Sequence, residues 1–344
     1  MTAASSSTGR LPGGPASGPA SGAVVAVVGA KGAPGATASV LVLALRWPRP
    51  VLVIDADLAG GDVAAGWLAG RVGLDRGLLS FAAATRHATT ATPAELGPHV
   101  VTVPDAPGVM VLPGLAHGGQ AGGLDSHLWT RLLAAATSPW LTAGPDAGLV
   151  AGPAAGGGPG VDGQAADGWV AGRGSARVDV LTDCGRVSAG TPWPLLRAAS
   201  VVLLAARPTL RGVHHARHAL ASVETALPGV LRDPDRVGLL VCGPGAYDPR
   251  EVGRAVGLPV RLVLPDDPLA ADMLTDYADF GNRHGAGSRR TLLARAARSG
   301  ALRLSAAVDN QVAAGSDPSG AAPVDNPTGK VRTGFGGTGW NGRR

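Results

Sequence analysis

The sequence contains only two cysteines, Cys184 and Cys242, in 344 residues. That excludes a disulfide scaffold and a cysteine-rich zinc site, and the chain reads as cytosolic and reduced. Aromatic residues make up 3%, which argues against nucleic-acid modules that stack bases on Phe and Tyr platforms. Charged residues are also sparse, at 16%, against 45% hydrophobic; a uniformly disordered chain would be richer in charge and poorer in apolar groups. No run approaches the roughly 18–20 apolar residues of a membrane-spanning helix. Residues 1–22 are rich in Ser, Gly, Pro and Ala, with one arginine and no apolar stretch, so they do not form a secretory signal. Lysine is the scarcest basic residue: of 30 Lys and Arg, only Lys31 and Lys330 are lysine. Against that background, a lysine at position 31 is less easily a neutral choice. The net charge of +5 is diffuse; it allows weak nonspecific contact with DNA or a membrane surface and identifies neither.

Glycine and proline, by contrast, are plentiful, at 53 and 28 residues. Such numbers are compatible with a folded core only if they are concentrated in particular segments. Three segments qualify: a leader over 1–22, a Gly/Pro/Ala insertion over 142–175, and a tail over 304–344. All three are expected to be disordered, because they bury too little apolar surface to offset their ordering entropy. The remaining folded unit, within 23–303, repeats short Val-rich runs bounded by turn residues: AVVAVVG from Ala23, VLVID at Val51–Asp55, VMVL at Val109–Leu112, VDVLT at Val178–Thr182, VVLLA at Val201–Ala205, VGLLV at Val237–Val241 and VRLVL at Val260–Leu264. Continuous apolar runs of this length fit strands buried on both faces. Between them lie helical patterns at Thr37–Arg46, His127–Ala136, Pro194–Ala199, Gly212–Ala226, Pro249–Val256, Leu269–Tyr277 and Arg289–Arg298. The alternation predicts a single α/β domain with a doubly wound, mostly parallel sheet, whose ligands bind at the carboxyl ends of the strands.

The richest stretch is VVAVVGAKGAPGATASVLVLA. A strand ends at Val28, a glycine-rich turn runs from Gly29 to Gly35, and a helix starts near Thr37. That geometry presents backbone N–H groups, aided by the helix dipole, to a phosphate. Glycine permits the close approach and the positive φ angles. Gly29, Lys31, Gly32, Ala33, Gly35, Ala36, Thr37 and Ala38 are the candidate nucleotide-binding residues, with the Thr37 hydroxyl placed to ligate Mg²⁺. Measured against GxxxxGK[ST], Gly29 and Gly35 hold the outer positions, but Ala36 stands where the phosphate-contacting lysine belongs. Asp55 and Asp57 lie at the carboxyl end of the second strand, and Asp183 with Gly185 ends the VDVLTDCG run. Carboxylates at these strand ends face the phosphate crevice and can order Mg²⁺ or attacking water.

In this order the motifs resemble those of the ParA/MinD superfamily of P-loop ATPases with a deviant Walker A sequence, over nearly all of the folded region. The family loop KGGxGK[ST] corresponds here to KGAPGAT. The resemblance implies the P-loop NTPase fold, ATP and Mg²⁺ as cofactors, and a homodimer in which Lys31 reaches the partner's phosphates. It makes Lys31 and Asp57 the catalytic residues, Asp57 positioning water, and Thr37, Asp57 and Asp183 the metal-binding ones. LPDDP at Leu264–Pro268 is similar to the family element beside adenine, while Cys242 and Gly243 stand where an adenine-reading Asn is common. Ala36 before a hydroxyl residue is similar to the CpaE/TadZ branch, whose loops often read RGGVGAST. The 22 residues ahead of the strand are too few for the receiver-like domain usual in that branch. The implied role is positioning a septum, a pilus assembly or a chromosome, with a protein partner at that site and localisation to the cytoplasm, the inner membrane face or the nucleoid.

Removing one cation from the developing charge costs roughly several kcal/mol of transition-state stabilisation, so hydrolysis is expected to be slow or absent. Two other readings stand beside a nucleotide-binding positioning protein: a scaffold that no longer binds nucleotide, and an active partition ATPase using Lys31. Two further clusters read more plainly. His214 and His218 share a helix face with no third ligand near in sequence, and with His215 they read as a partly solvated face. Ser288–Leu304 is basic and amphipathic, with Leu292, Leu293 and Ala296 expected to pack on the sheet. Phe335 and Trp340, among Lys330, Arg332, Arg343 and Arg344, read as a solvated tail.

Overall fold

The computed structural model describes residues 21–33, 35–68, 70, 72–103, 106–139, 141–143, 149–151, 176–275 and 291–315. The expected leader, apart from its last two residues, lies outside them, as do most of the insertion, Tyr277 and the tail beyond 315. The strands are β1 (Val24–Gly29), β2 (Val51–Asp55), β3 (Val101–Thr102), β4 (Val109–Leu112), β5 (Leu141–Ala143), β6 (Leu149–Ala151), β7 (Ala176–Arg177), β8 (Asp179–Arg186), β9 (Val201–Ala206), β10 (Val237–Cys242) and β11 (Val260–Leu264). The helices are α1 (Ala36–Ala44), α2 (Leu78–Thr85), α3 (Pro93–Leu96), α4 (Leu128–Ala136), α5 (Trp193–Ala198), α6 (Leu210–Ala226), α7 (Pro249–Val256), α8 (Pro268–Thr275) and α9 (Leu292–Gly315).

The main sheet has the order β11-β10-β9-β1-β8-β2-β4-β3. Its pairings are parallel except for the short edge strand β3 against β4. Every residue of β1, β2, β4, β9 and β10 is buried, because helices cover both faces and side chains of either parity are taken out of water. One layer is built on α1, α8 and α9, with Leu41, Leu43, Leu274, Leu293, Ala297 and Val308 in a cluster with Val25, Val27 and Val53. The opposite layer gathers Phe81, Leu132, Leu195, Ala216 and Val252 against Ala26, Leu52 and Leu204. β1 lies at the centre, between β8 and β9, so its carboxyl end opens between two neighbouring strand ends.

Two boundaries differ from the sequence reading. The last helix, expected over Arg289–Arg298, runs instead over Leu292–Gly315, past the expected end of the folded unit at 303, with Leu304 and Val308 buried at 3% and 0% exposure. The packed face also differs: Leu293, Ala294, Ala297 and Ala301 are buried, whereas Leu292 is 63% exposed. Arg49 and Arg177 together hold Asp309, at 2.8 and 2.7 Å, and both also pair with buried Asp179. A basic run read forward from Ser288 does not reveal that its continuation is anchored by this acid. The edges of the 142–175 insertion pair as strands: β6, β5 and β7 form a separate three-stranded antiparallel sheet. Helices α2 and α3 fall in a stretch where the sequence reading placed none; α3 is a single turn held by a capping box between Thr92 and Glu95.

Candidate functional site

The turn after β1 is shaped by its backbone. Ala30 N–H is bonded to the Ala205 carbonyl of β9 at 3.0 Å, and Ala33 N–H returns to the Ala30 carbonyl at 3.0 Å. Gly32 and Gly35 adopt φ of 72° and 84°, the left-handed region that glycine enters without strain. A Cβ at either glycine would meet nothing within 4 Å, so the turn faces open space. Gly35 caps α1, and no side chain caps the helix; its first-turn N–H groups are the orphan donors that an anion satisfies.

A cavity of about 530 Å³ lies over this turn, lined by Gly29 through Ala33, Gly35, Ala36, Thr37, Asp57, Asp183, Gly185, Arg186 and Arg207. Nine of the ten candidate residues therefore meet at one place; Ala38 does not. It turns into an adjoining cavity of about 340 Å³, whose lining includes Ser39, Cys242, Gly243, Pro265, Asp266 and Pro268. Lys31 is exposed at the rim. Pro34 lies outside the described residues.

Thr37 Oγ1 donates to Asp183 Oδ2 at 2.5 Å, joining the helix start to the end of β8, while Gly185 N–H donates to Asp183 Oδ1 at 3.0 Å. Asp57 accepts from Ala59 N–H at 2.8 Å, and its carboxylate lies so close to Gly185 that a Cβ there would overlap it. Gly185, at φ 63°, is thus an approach point for Asp57. Asp55 sits beside Asp183 in the strand register, nested between Gly61 and Gly114, and its Oδ2 has no partner. Burial, then the neighbouring Asp183, pushes the Asp55 carboxyl well above its usual range. Burial also raises Asp183, although the hydrogen bond from Thr37 opposes it. Desolvated carboxylates this close repel one another, and a cation among them relieves that repulsion.

Hydroxyl and carboxylate oxygens are the donors that Mg²⁺ prefers, and this ion takes only one or two protein ligands and completes its shell with water and phosphate oxygens. Among the described residues there is no cluster of three or more His, Cys, Asp or Glu side chains able to enclose a metal. The residues therefore fit Mg²⁺ with a phosphate ligand better than an all-protein metal cage. His214 Nε2 and His218 Nε2 are 3.2 Å apart on the exposed face of α6, as the spacing predicts. Lys31 contributes, after desolvation, to holding His215 below its ordinary value, so this ridge borders the mouth of the site. Burial raises the Cys242 thiol to about 11.

Sequence reasoning missed Arg186 and Arg207. Arg186 is the last residue of β8 and Arg207 follows the last residue of β9, on a sheet whose carboxyl edge was already the expected binding edge, and that position was the available signal.

A central parallel strand, an open glycine turn, a helix N-terminus and a hydroxyl–carboxylate pair across the next strand define the P-loop class of α/β fold. No protein-family model and no curated protein matches the chain. Solved structures do. A ParA family ATPase from Chlorobium tepidum TLS aligns at 15% identity and TM-score 0.58, covering 82% of this chain and 98% of that one. The septum site-determining protein MinD from Pyrococcus horikoshii OT3, complexed with Mg-ADP, aligns at 12% and 0.51, covering 84% and 98%. The MinD cell division protein of Aquifex aeolicus gives 13% and 0.51, covering 83% and 97%. The chain has the ParA/MinD type of P-loop NTPase fold. At these identities the likeness concerns the fold.

Proposed function

We propose that this chain is a nucleotide-binding positioning protein of ParA/MinD type that binds Mg-ATP, pairs with a second copy, and hydrolyses slowly or not at all. The observation that carries the reading is the 2.5 Å bond between Thr37 Oγ1 and Asp183 Oδ2 beside a turn whose glycines face open space. Main-chain N–H groups of Gly32, Gly35, Ala36 and Thr37 would hold the phosphates. Thr37 and Asp183 would hold Mg²⁺, with Asp57 on its water, and the ion would neutralise charge on the phosphates. Asp57, fixed by Ala59 and Gly185, would orient the attacking water. Ala36 leaves the loop without its usual cation, so binding outlasts turnover. Lys31, exposed at the rim, supports the expectation of a contribution in trans. The neighbours' names support a role in septum-site selection or partitioning, and the alanine-bearing loop supports a CpaE-like assignment in pilus positioning. In that setting the protein acts as a nucleotide-controlled switch that engages a protein partner, in the cytoplasm, at the inner membrane face or on the nucleoid.

The test is equilibrium binding of a fluorescent ATP analogue with Mg²⁺. Wild type is expected to bind, and Thr37→Val and Asp183→Asn to lose the Mg²⁺-dependent part. A folded wild type with no affinity, or binding indifferent to both substitutions, overturns the reading in favour of a nucleotide-free scaffold.

A further inference from the structure

Arg207 occupies the boundary between the two cavities at the sheet edge. It and Gly35 are the residues that line both. It follows β9 directly, and β9 is bonded to the phosphate turn through Ala30 N–H and the Ala205 carbonyl. Its backbone is pinned: Thr209 N–H donates to the Arg207 carbonyl at 2.9 Å, and Gly212 approaches that carbonyl so closely that any Cβ would collide with it. The side chain is half-buried, and its Nε is buried with no hydrogen-bond partner. Among the described residues Arg207 forms no ion pair, although Asp57, Asp183, Asp266 and Asp267 line the cavities it borders. A buried, unsatisfied guanidinium nitrogen is costly and calls for an acceptor.

We infer that Arg207 is a phosphate-binding residue. On this assignment it supplies, from the end of β9 and within the same subunit, the positive charge that Ala36 omits from the loop. The inference rests on the nucleotide reading and narrows it to nucleoside di- and triphosphates. A ligand with its phosphates over the glycine turn and its base in the smaller cavity passes Arg207 at the junction. A planar fork of N–H donors is suited to phosphate oxygens there. Lys31 differs: it is exposed and on the rim, and it depends on a second copy. The assignment therefore predicts that a monomer binds ATP without Lys31.

The experiment is equilibrium binding of ATP, ADP and AMP, each with Mg²⁺, to the full chain as wild type, Arg207→Met, Arg207→Gln and Arg207→Lys. Thermal melting without nucleotide checks that each variant is folded. The Met and Gln variants are expected to weaken ATP and ADP roughly 10- to 100-fold, the range of a hydrogen bond to a charged group. AMP should weaken much less, and Arg207→Lys should restore most of the loss. Equal losses for AMP and ATP would assign Arg207 to base stacking or framework support and overturn the inference. Unchanged ATP binding in both neutral variants overturns it alone and leaves the nucleotide reading intact. If wild type binds none of the three, both fall together.

Discussion

Ala36 is the residue on which the chemistry turns. Being the first residue of α1 and half-buried on the cavity wall, it can be exchanged for a lysine without breaking the helix. Ala36→Lys is expected to raise steady-state phosphate release about 10- to 100-fold, since one well-placed cationic or hydrogen-bonding group is commonly worth ~10²-fold or more, and a second change, Asp57→Ala, should remove the gain. A rate that stays flat would mean that the loop lysine is not what limits turnover. Gly185 matters for a different reason. Its φ of 63° and its contact with the Asp57 carboxylate leave no room for a side chain, so Gly185→Ala should cost about 1–3 kcal/mol and displace Asp57. Thermal unfolding measures the first effect; an unaltered melting temperature would show that the turn yields freely. Gly185 was legible in the sequence as the glycine two residues past Asp183 at the end of the VDVLTDCG run. Its tight approach to Asp57 depends on a strand that arrives from position 51.

Elements are held in place by a few buried charges. Arg131 of α4 is 1% exposed and forms a bidentate pair with Asp125, at 2.9 and 2.5 Å, while its Nε donates to Thr85 of α2. Removing the acid strands the guanidinium in the core. Asp125→Ala should therefore destabilise by about 2–3 kcal/mol, below the usual loss for a buried pair because the Asp125 side chain is 38% exposed and water reaches it. The Arg131 hydrogen bonds lower the Asp125 carboxyl from 3.8 to about 2. An acid whose folded value is depressed contributes stability that is complete above the unfolded value and is lost as pH falls through the folded one. Wild type and Asp125→Ala should thus differ fully above pH 5 and converge between about pH 4 and 2, as followed by denaturant titration; a gap constant across that range would show that the pair carries no pH dependence. At this scale the sequence was informative about α1 and α4 through α8, whose apolar faces are local. It was less so about α9, since the contact of Asp309 with Arg49 and Arg177 joins residues more than 100 positions apart.

For the whole molecule, the expectation is a change of assembly. Light scattering should show a shift from monomer toward dimer when Mg-ATP is added, and Lys31→Ala should reduce that shift while leaving nucleotide affinity largely intact. A mass independent of nucleotide would remove the switch from the proposed function. The one lysine of the folded region stands exposed beside the site mouth and the His214–His218 ridge, a surface available to a second copy. Among the described residues no helix is long and apolar enough to cross a membrane.

By itself, the sequence determined the alternation of buried strands and helices, the glycine turn and the carboxylates near the carboxyl ends of β2 and β8. These are properties of short windows: unbroken Val-rich runs, residues that permit positive φ, and a change of period from strand to helix. Tertiary structure alone decided which strand ends meet. β9 packs against β1, so Arg207, unremarkable in sequence, comes to the junction of two cavities, whereas Ala38, one residue past Thr37, turns away from the phosphate turn. A helix turns its side chains by about 100° per residue, and a sheet brings together residues that its crossovers keep far apart in the chain. Neither displacement is visible to a reading that moves along the chain one residue at a time.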